Sequence, residues 1–351
     1  MSESHEHPSQ NVEAGLSRRD LFRTAGLAAG GAVLLGLPKF VGGWAGEAEA
    51  ATDPRAYAGT SSLALELDSQ SIPLLSVEGG HAVADVISEP GGQEGIAGKR
   101  PGVVRYEDLL ITLPLATGSK ALGEWLVNSL GKPGQSAKNG AIIYGGPDGK
   151  ELKRLGFTGA LLSEVVVPQA SAADTAQAML FLRLTPQSTQ LLGPSGGVLK
   201  APPGAKQANV LSSNFRLNVQ GLEQACGRIA KVHPLITRRF TGSNSVGEFR
   251  LPNNPLGSWN CANVSVILPE ADAGPFYQWF DDLVMKAKPG SERSGLLEWV
   301  DRSMKVVASV QLGGLGIIRY APEPVSLGPS QKIGGMVQVD LYCETMKVLL
   351  S

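Results

Sequence analysis

Three glycine-rich segments are the first places in this sequence where chemistry could occur. GGPDGK at 145–150 has the look of a phosphate-binding loop, but it lacks the spacing and the final Ser or Thr that such a loop needs. GGLGII at 313–318 fails the dinucleotide-binding fingerprint. GPSGG at 193–197 has no strand-to-helix turn around its serine, which a nucleophile elbow requires. We therefore predict no catalytic residue and no cofactor, and we do not expect an enzyme.

Histidines offer no clear metal site. The four histidines are His5, His7, His81 and His233, and the sequence has neither a His-x-x-x-His nor a Cys-x-x-Cys pair. His81 and His233 stand at similar sequence positions within the two halves of the chain, so they could meet in an assembly of several copies. A lone histidine near a strand end is more often structural, and we predict no metal ligand.

The three cysteines are Cys226, Cys261 and Cys343, all in the second half of the chain. In an exported protein an odd number leaves at least one thiol free. The spacing leaves two alternatives open: a Cys226–Cys261 disulfide, or ordinary buried thiols.

The first 50 residues have the pattern of an export signal. Adjacent Arg18 and Arg19 precede a weakly apolar stretch, and an alanine-rich segment with Ala48 and Ala50 follows it. Such a pattern is typical of a cleavable signal peptide, and paired arginines mark the twin-arginine route. The alternative is a transmembrane anchor, but the apolar stretch is short, glycine-rich and interrupted by Lys39. We expect cleavage after Ala50, no membrane span afterwards, and a location in the periplasm, the cell envelope or outside the cell.

The rest of the chain is close to neutral. The whole sequence has a net charge of −1 and 42% hydrophobic residues. It therefore carries no broad basic surface for nucleic acid or for an acidic membrane. Its length allows a large core in about two domains of ~150 residues each.

Two amphipathic helices of similar pattern are predicted a domain's length apart. The first has an apolar stripe of Leu122, Trp125, Leu126 and Leu130. The second has an apolar stripe of Phe276, Trp279, Phe280, Leu283 and Val284. We predict that Trp125, Trp279 and Phe276 are core anchors between helix and sheet. The repetition indicates a duplicated module, the alternative being a coincidence between two β-rich domains.

Alternating strands flank each helix in the same order. LALELD at 63–68 and FRLNVQG at 215–221 alternate apolar and polar residues, as half-buried antiparallel strands do. Each half then reads as a strand, a long loop, a strand, a helix, a hairpin and a closing strand. The hairpins are predicted at 139–157 and 305–322, the second turning at Gly313–Gly314.

These patterns predict an α+β fold of two tandem antiparallel β-sheet domains, each packed with one helix. The predicted boundaries are a signal peptide at 1–50, domain 1 at 51–190, a linker at 191–212 and domain 2 at 213–351. The linker assignment depends on a stretch rich in Pro, Gly, Ser and Gln.

The order of elements resembles that of the tail-tube proteins of contractile phages, a fold shared with type VI secretion tube proteins and the inner tubes of contractile injection systems. The resemblance is carried by EWLVNSLG and the hairpin after it in the first half, and by GPFYQWFDDLV and GGMVQVDLYCE in the second. It implies split-barrel domains over nearly the whole of 51–351. The tube proteins of that family have one domain and are cytoplasmic, whereas this chain has two modules and an export pattern.

The resemblance implies a homo-oligomeric ring of six domains, which three copies of a two-domain chain would complete. Edge strands of one sheet would be paired by a neighbouring copy. Rings would stack through long loops at 87–108 and 238–259. The candidate contacts there, or equally solvated charges, are Arg100, Arg105, Arg238 and Arg250. The candidates for lining a lumen, or simply for facing solvent, are Glu66, Asp68, Arg183, Arg216, Asn218 and Asp340.

The predicted function is therefore structural: a ring or tube outside the cytoplasm, with itself as the main partner and sheath or baseplate-like proteins as further partners. Two alternatives stay open. One is a monomeric exported binding module that keeps the fold, and the other is a twin-arginine-exported enzyme whose cofactor site no motif identifies.

Overall fold

The computed structural model describes residues 60–89, 98–131, 136–199, 210–241, 244–245, 252–253, 256–322 and 335–351. The segment with the export pattern, including Arg18, Arg19, Ala48 and Ala50, lies outside these residues. No helix within the described ranges is long and apolar enough to cross a membrane.

The first half of the chain, residues 60–199, is mainly strand. Its elements are β1 Ser62–Leu67, β2 Gln70–Leu74, β3 Ser76–Gly79, β4 Ala82–Glu89, β5 Gly98–Tyr106, β6 Leu109–Pro114, α1 Lys120–Gly131, β7 Lys138–Gly145, β8 Glu151–Val167, β9 Ala170–Ser171, β10 Met179–Thr185 and β11 Ser188–Leu192. The alternation seen in the sequence sets the buried faces. In β6, for example, Leu109, Ile111 and Leu113 are buried and the residues between them are half-buried.

The second half, residues 210–351, repeats much of this order. Its elements are β12 Phe215–Val219, α2 Glu223–Cys226, β13 Lys231–Val232, β14 Leu235–Thr241, β15 Asn244–Ser245, β16 Pro252–Asn253, β17 Leu256–Cys261, β18 Val264–Pro269, a 3-10 turn Glu270–Asp272, α3 Gly274–Phe280, a π-helical turn Asp281–Met285, β19 Arg293–Val300, β20 Val306–Pro322 and β21 Met336–Leu350.

The strands form two main antiparallel sheets with corresponding strand orders. The first sheet runs β2-β1-β7-β8-β10-β6-β3, and the second runs β12-β19-β20-β21-β18-β13-β9. Apart from β2 and β9 at the ends, each strand in the first of these orders has a counterpart at the same place in the second; β11, β14 and β17 join the first sheet outside this order. The predicted mainly antiparallel β fold with few helices is therefore confirmed.

A bulge falls at the same point in both ladders. Between β10 and β8 the register shifts after Arg183↔Glu164 to Leu184↔Leu162. Between β20 and β21 it shifts from Ile317↔Leu341 to Arg319↔Asp340. The bulged residue is Ser163 in the first sheet and Ile318 in the second. This coincidence aligns the two long strands residue by residue, with Arg319 at the position of Glu164.

Each main helix is held by its tryptophan. Trp125 and Trp279 are buried, and their Nε1 atoms donate to the carbonyl oxygens of Ser136 and Ser291, at 2.5 and 2.8 Å. Each indole thus fills space against the sheet and fixes the chain that leaves the helix.

The second helix departs from the predicted stripe at its end. After Phe280 the backbone continues as a π-helical turn to Met285. The wider turn changes the spacing of side chains, so Val284, predicted on the buried stripe, is exposed.

The predicted hairpin turn at Gly313–Gly314 is wrong. Both glycines lie inside the single strand β20, and the hairpin is formed by β19 and β20. Gly314 has a positive φ of 61°, and an added Cβ there would lie 2.3 Å from a carboxylate oxygen of Glu344. The glycine pair thus allows a close approach and an irregular ladder rather than a chain reversal.

The segment predicted as a linker is attached to the fold at both ends. β11 pairs with β8, and Leu199 is buried with Ala64 and Ile143. At the other end the carbonyl of Val210 accepts from the amide of Ala178 at 2.8 Å. Residues 200–209 lie outside the described residues. Residues Tyr57–Ser351 form one compact unit.

Candidate functional surfaces at the joint between the sheets

The second half places the hairpin β14–β17 on the edge of the first sheet. β14 pairs antiparallel with the end of β8, with Leu235 opposite Val167 and Arg238 opposite Glu164. Beyond the point where β7 stops, this part of β8 would otherwise present an open edge. Because β14 covers it, every residue from Leu161 to Val167 is buried.

A buried carboxylate joins three strands at this point. Glu164 of β8 accepts from Arg238 Nε at 2.6 Å and from Arg183 Nε at 3.0 Å. Arg238 comes from β14 and Arg183 from β10. The glutamate side chain is 5% exposed, so its charge is held almost entirely by these two guanidinium groups.

A second arginine lies deeper in the joint. Arg239 is buried, donates from Nε to the carbonyl of Leu162 at 2.6 Å, and stacks on the Trp259 ring at 4.7 Å. Burial lowers the pKa of Arg239 to about 10. Trp259 Nε1 in turn donates to the carbonyl of Ser129 at the end of α1, at 2.6 Å. The hairpin is therefore fastened to the first half's helix as well as to its sheet.

Two further contacts widen the joint. β9 of the first half pairs with β13, the outer strand of the second sheet, through Val232↔Ala170 and Lys231↔Ser171. Helix α1 also packs on β21: an added Cβ at Gly123 would lie 3.6 Å from the carbonyl of Leu350. Each half thus contributes strands that complete the other.

The first half has a hairpin of the same kind, β4–β5, which forms a two-stranded sheet of its own in the described part of the chain. Its register shifts between Ala84 and Val86, as that of β14–β17 shifts between Arg239 and Thr241. This bulge places Val83 at the position of Arg238, and most of the hairpin's side chains are exposed.

The second sheet likewise has the counterpart of the covered edge. β19 ends its pairing with β20 at Leu315, and β20 continues to Pro322 with β21 on its other side. Within the described residues no strand covers the β19-side edge of 316–322. Ile318 is consequently 43% exposed, whereas Ser163 at the equivalent place is 6% exposed.

The arginines predicted for ring stacking occupy different environments. Arg100 and Arg105 lie on β5, exposed, and Arg105 pairs with Asp85 at 2.8 Å. Arg238 forms an ion pair with Glu164 of the same chain, and Arg250 lies outside the described residues. The segments 87–108 and 238–259, predicted as loops, contain the arms of the two hairpins.

Five of the six candidate lumen residues lie on strands, while Asp68 lies in the turn between β1 and β2, and five of the six take part in ion pairs. The ion pairs are Glu66–Arg154 at 2.9 Å, Asp68–Lys138 at 2.5 Å, Arg183–Glu164 at 3.0 Å, Arg216–Glu298 at 3.6 Å and Asp340–Arg319 at 3.1 Å. Asn218 is exposed. Glu164 with Arg183 and Arg319 with Asp340 occupy equivalent places with the charges reversed. A lumen-facing role for these residues stays a prediction.

The glycine-rich segments GGPDGK and GPSGG have structural roles. GGPDGK forms the turn between β7 and β8, where Gly149 has a positive φ of 77°. Ser195 of GPSGG donates to Glu151 at 2.6 Å, and Glu151 also binds Arg154. Burial opposes ionisation of Glu151, but the hydrogen bonds from Arg154 and Ser195 outweigh it and lower its pKa. Among the described residues no group of three or more His, Cys, Asp or Glu could hold a metal.

The cysteines are free thiols, so the disulfide alternative is not what the fold contains. The cysteine that hydrogen-bonds to Cys261 is Cys343 on β21. A hydrogen bond from Cys343 lowers the pKa of Cys261 to about 6, whereas burial raises the pKa of Cys226 to about 11.

Sequence reasoning missed the joint itself. One signal was present: the end of β8, ALLSEVVV at 160–167, is almost continuously apolar instead of alternating. Such a run is typical of a strand covered on both faces. The partner strand, with two adjacent arginines, shows no matching pattern.

Comparisons with known proteins assign no family. No family model matches the chain, and no curated protein matches it. Solved structures do show partial similarity. The sheath-tube complex of the PVC extracellular contractile injection system in its extended state has a chain 18% identical, covering 40% of this chain and 94% of its own, with a TM-score of 0.35.

Two further structures give similar values. The cap of the anti-feeding prophage is 19% identical over 42% of this chain and 99% of its own, with a TM-score of 0.36. Hcp1 from Flavobacterium johnsoniae is 21% identical over 39% of this chain and 96% of its own, with a TM-score of 0.26. Identities and TM-scores this low assign neither a family nor a function to the chain.

Proposed function

We propose that this protein is a structural, self-assembling component whose copies join into a ring or tube. The observation that carries the proposal is the joint: a hairpin of the second half completes the edge of the first half's sheet. The two sheets have corresponding strand orders. A chain that already joins two similar sheets in this way contains the contact from which a larger assembly can be built by repetition.

The joint is heterologous, because a hairpin on one side meets a strand edge on the other. Repeated heterologous contacts close into a ring when the rotation allows it and otherwise continue as a filament. Three copies of the chain would supply six sheets, which is the ring that the tail-tube resemblance implies. In this proposal the halves are tandem copies of one tail-tube-like domain, at 51–190 and 213–351, with the linker at 191–212 between them.

The proposed role needs no chemistry, since the assembled shape is the product. The buried arginine and glutamate of the joint support this interpretation, because their hydrogen bonds hold the second half's hairpin on the first half's sheet. The ring or tube would act as a conduit or scaffold. Sheath or baseplate-like proteins are the proposed further partners.

We place the assembly outside the cytoplasm. The support is the N-terminal pattern with Arg18 and Arg19, which is typical of the twin-arginine route. That route carries folded chains, which suits a protein whose copies assemble only after export. The mass of the N-terminal peptide of protein recovered from the cell envelope tests this step, with cleavage after Ala50 as the expected result.

Negative-stain electron microscopy of the purified protein tests the proposed function directly. We expect rings or short tubes of uniform diameter. Isolated particles of single-chain size at every concentration would contradict the assembly and favour the monomeric binding module. Copurification of a coloured cofactor, a nucleotide or a metal in stoichiometric amount would favour the exported enzyme.

A further inference from the structure

We infer that the β4–β5 hairpin of one copy docks on the free edge of β20 in the next copy. This inference rests on the proposed assembly and names its interface. The occupant is a second copy of this chain, and the template is the joint that the chain already forms between its own halves. There, β14–β17 covers the edge of β8, and each of these two surfaces has a counterpart that no other strand among the described residues covers.

The two open surfaces correspond to the joined ones residue by residue. The ladder bulges align Arg319 with Glu164 and Ile318 with Ser163 on the acceptor strands. The hairpin bulges align Val83 with Arg238 on the donor strands. Transferring the observed pair Arg238↔Glu164 therefore places Val83 of one copy opposite Arg319 of the next.

Both open surfaces carry apolar side chains that docking would cover. On the hairpin these are Val83, Val86 and Val104, each exposed. On the acceptor side Ile318 is exposed, and so are Val284 and Met285 on the π-helical turn after α3, which contacts β20. In the joint that already exists, the equivalent strand edge is buried and the hairpin is anchored to the end of α1 through Trp259. The exposed apolar groups thus lie where a neighbouring copy would contact them.

The charges at the free edge are reversed relative to the existing joint. Glu164 is met there by a basic hairpin residue, Arg238, whereas the free edge presents Arg319. The β4–β5 hairpin supplies an acidic residue, Asp85, two positions beyond Val83. Asp85 now pairs with Arg105 on the exposed surface, and exchanging such a surface partner costs little. If the two hairpins exchanged edges, Arg238 would meet Arg319 and Asp85 would meet Glu164. Because like charges repel, the reversal would let each edge bind its own hairpin selectively.

Disulfide trapping tests the interface in the full chain. In the variant Val83→Cys/Arg319→Cys, opposite residues of a new antiparallel pair would have Cβ atoms about 4.5–5.5 Å apart, close enough to be linked after small adjustments. Mild oxidation should give linked dimers and trimers on non-reducing gels, with the joined peptides identified by mass spectrometry. The matched control is Val83→Cys/Ser309→Cys, because Ser309 lies on the same strand with β19 and β21 already paired to either side. It should give no link.

The outcomes separate the interface from the assembly. Two results count against the interface: light scattering detects oligomers in which positions 83 and 319 form no disulfide, or oligomers in which the control variant is linked equally well. Either result would overturn this interface while the proposed assembly stands. A protein that remains monomeric would overturn both. Far-UV circular dichroism and the melting temperature of each variant exclude misfolding as the cause.

A second variant tests the same edge without engineered thiols. Ile318→Asp places a charge on the free edge, at a residue already exposed in the single chain, so the fold should survive. We expect the dissociation constant between copies to rise by about tenfold or more. Met304→Asp is the matched control, because Met304 is also apolar and exposed but lies in the turn at the opposite end of β20. Equal effects of the two substitutions would contradict the inference.

Discussion

The indole of Trp259 offers the sharpest test of how the two halves are held together. Its Nε1 donates to the carbonyl of Ser129 at 2.6 Å, and its ring lies under Arg239. Trp259→Phe keeps a ring under the guanidinium but removes the hydrogen bond. The expected loss in free energy of unfolding is about 1 kcal/mol.

Trp259→Ala removes the ring as well. Half of an indole's ~200 Å² of surface, at ~25 cal/mol per Å², is worth about 2.5 kcal/mol. The lost cation–π contact adds about 1 kcal/mol, so the total with the hydrogen bond is about 4.5 kcal/mol.

Urea unfolding followed by far-UV circular dichroism measures both variants. Because the joint connects the halves, we expect one transition with an unchanged slope for wild type and for Trp259→Phe. Hydrogen exchange should rise in β14 and in the last turn of α1 in Trp259→Ala, while β4–β5 stays as in wild type. A loss below about 1 kcal/mol in Trp259→Ala, or two separate transitions in wild type, would refute this account of the joint.

Three further predictions concern the core, a thiol and a carboxylate. Trp279→Ala should destabilise the protein by about 3–5 kcal/mol in the same urea assay, because it empties a fully buried site. Cys261, with its pKa lowered to about 6, should react with iodoacetamide faster than Cys226, whose pKa is raised to about 11. The rate at Cys261 should fall as the pH drops through about 6, and faster labelling of Cys226 by mass spectrometry would contradict this. The lowered pKa of Glu151 means that its ionised form stabilises the fold above its ordinary pKa, and that this contribution is lost as the pH falls through the lowered value. Acid unfolding of Glu151→Gln should therefore show a weaker dependence on pH than wild type, and an equal dependence would count against the role.

Much of the fold could be predicted because local patterns carried it. Period-two alternation marked β1 and β12, whose apolar residues Leu65, Leu67, Leu217 and Val219 are buried. The tryptophan-centred stripes marked α1 and α3. These elements are amphipathic for reasons contained within a few residues of sequence, so no distant partner was needed to recognise them.

The wrong predictions concern segments whose structure is set by distant strands or by the backbone conformation. Gly313–Gly314 looked like a turn, but the ladder of β20 with β21 continues past both glycines. The hairpin arms β4–β5 looked like a loop, because the described arms are mostly exposed and show no buried alternation. The π-helical turn after Phe280 exposes Val284, and helical spacing alone does not foresee such a change.

The candidate surfaces were the least predictable part. The tail-tube resemblance indicated that sheet edges would be completed by neighbours, but not which edge meets which hairpin. Arg238 was predicted as a ring-stacking contact or a solvated charge in a loop, and its partner Glu164 was not singled out at all. Their contact spans 74 positions of the chain, and no local pattern connects them.

The measurement that tests the central claim most directly is light scattering coupled to size-exclusion chromatography on the purified wild-type protein, over a dilution series from micromolar concentrations. The account predicts a particle of three times the chain mass, or a larger tube built from it, that is lost in Ile318→Asp and kept in Met304→Asp. A stable particle of one chain mass throughout the series would contradict it.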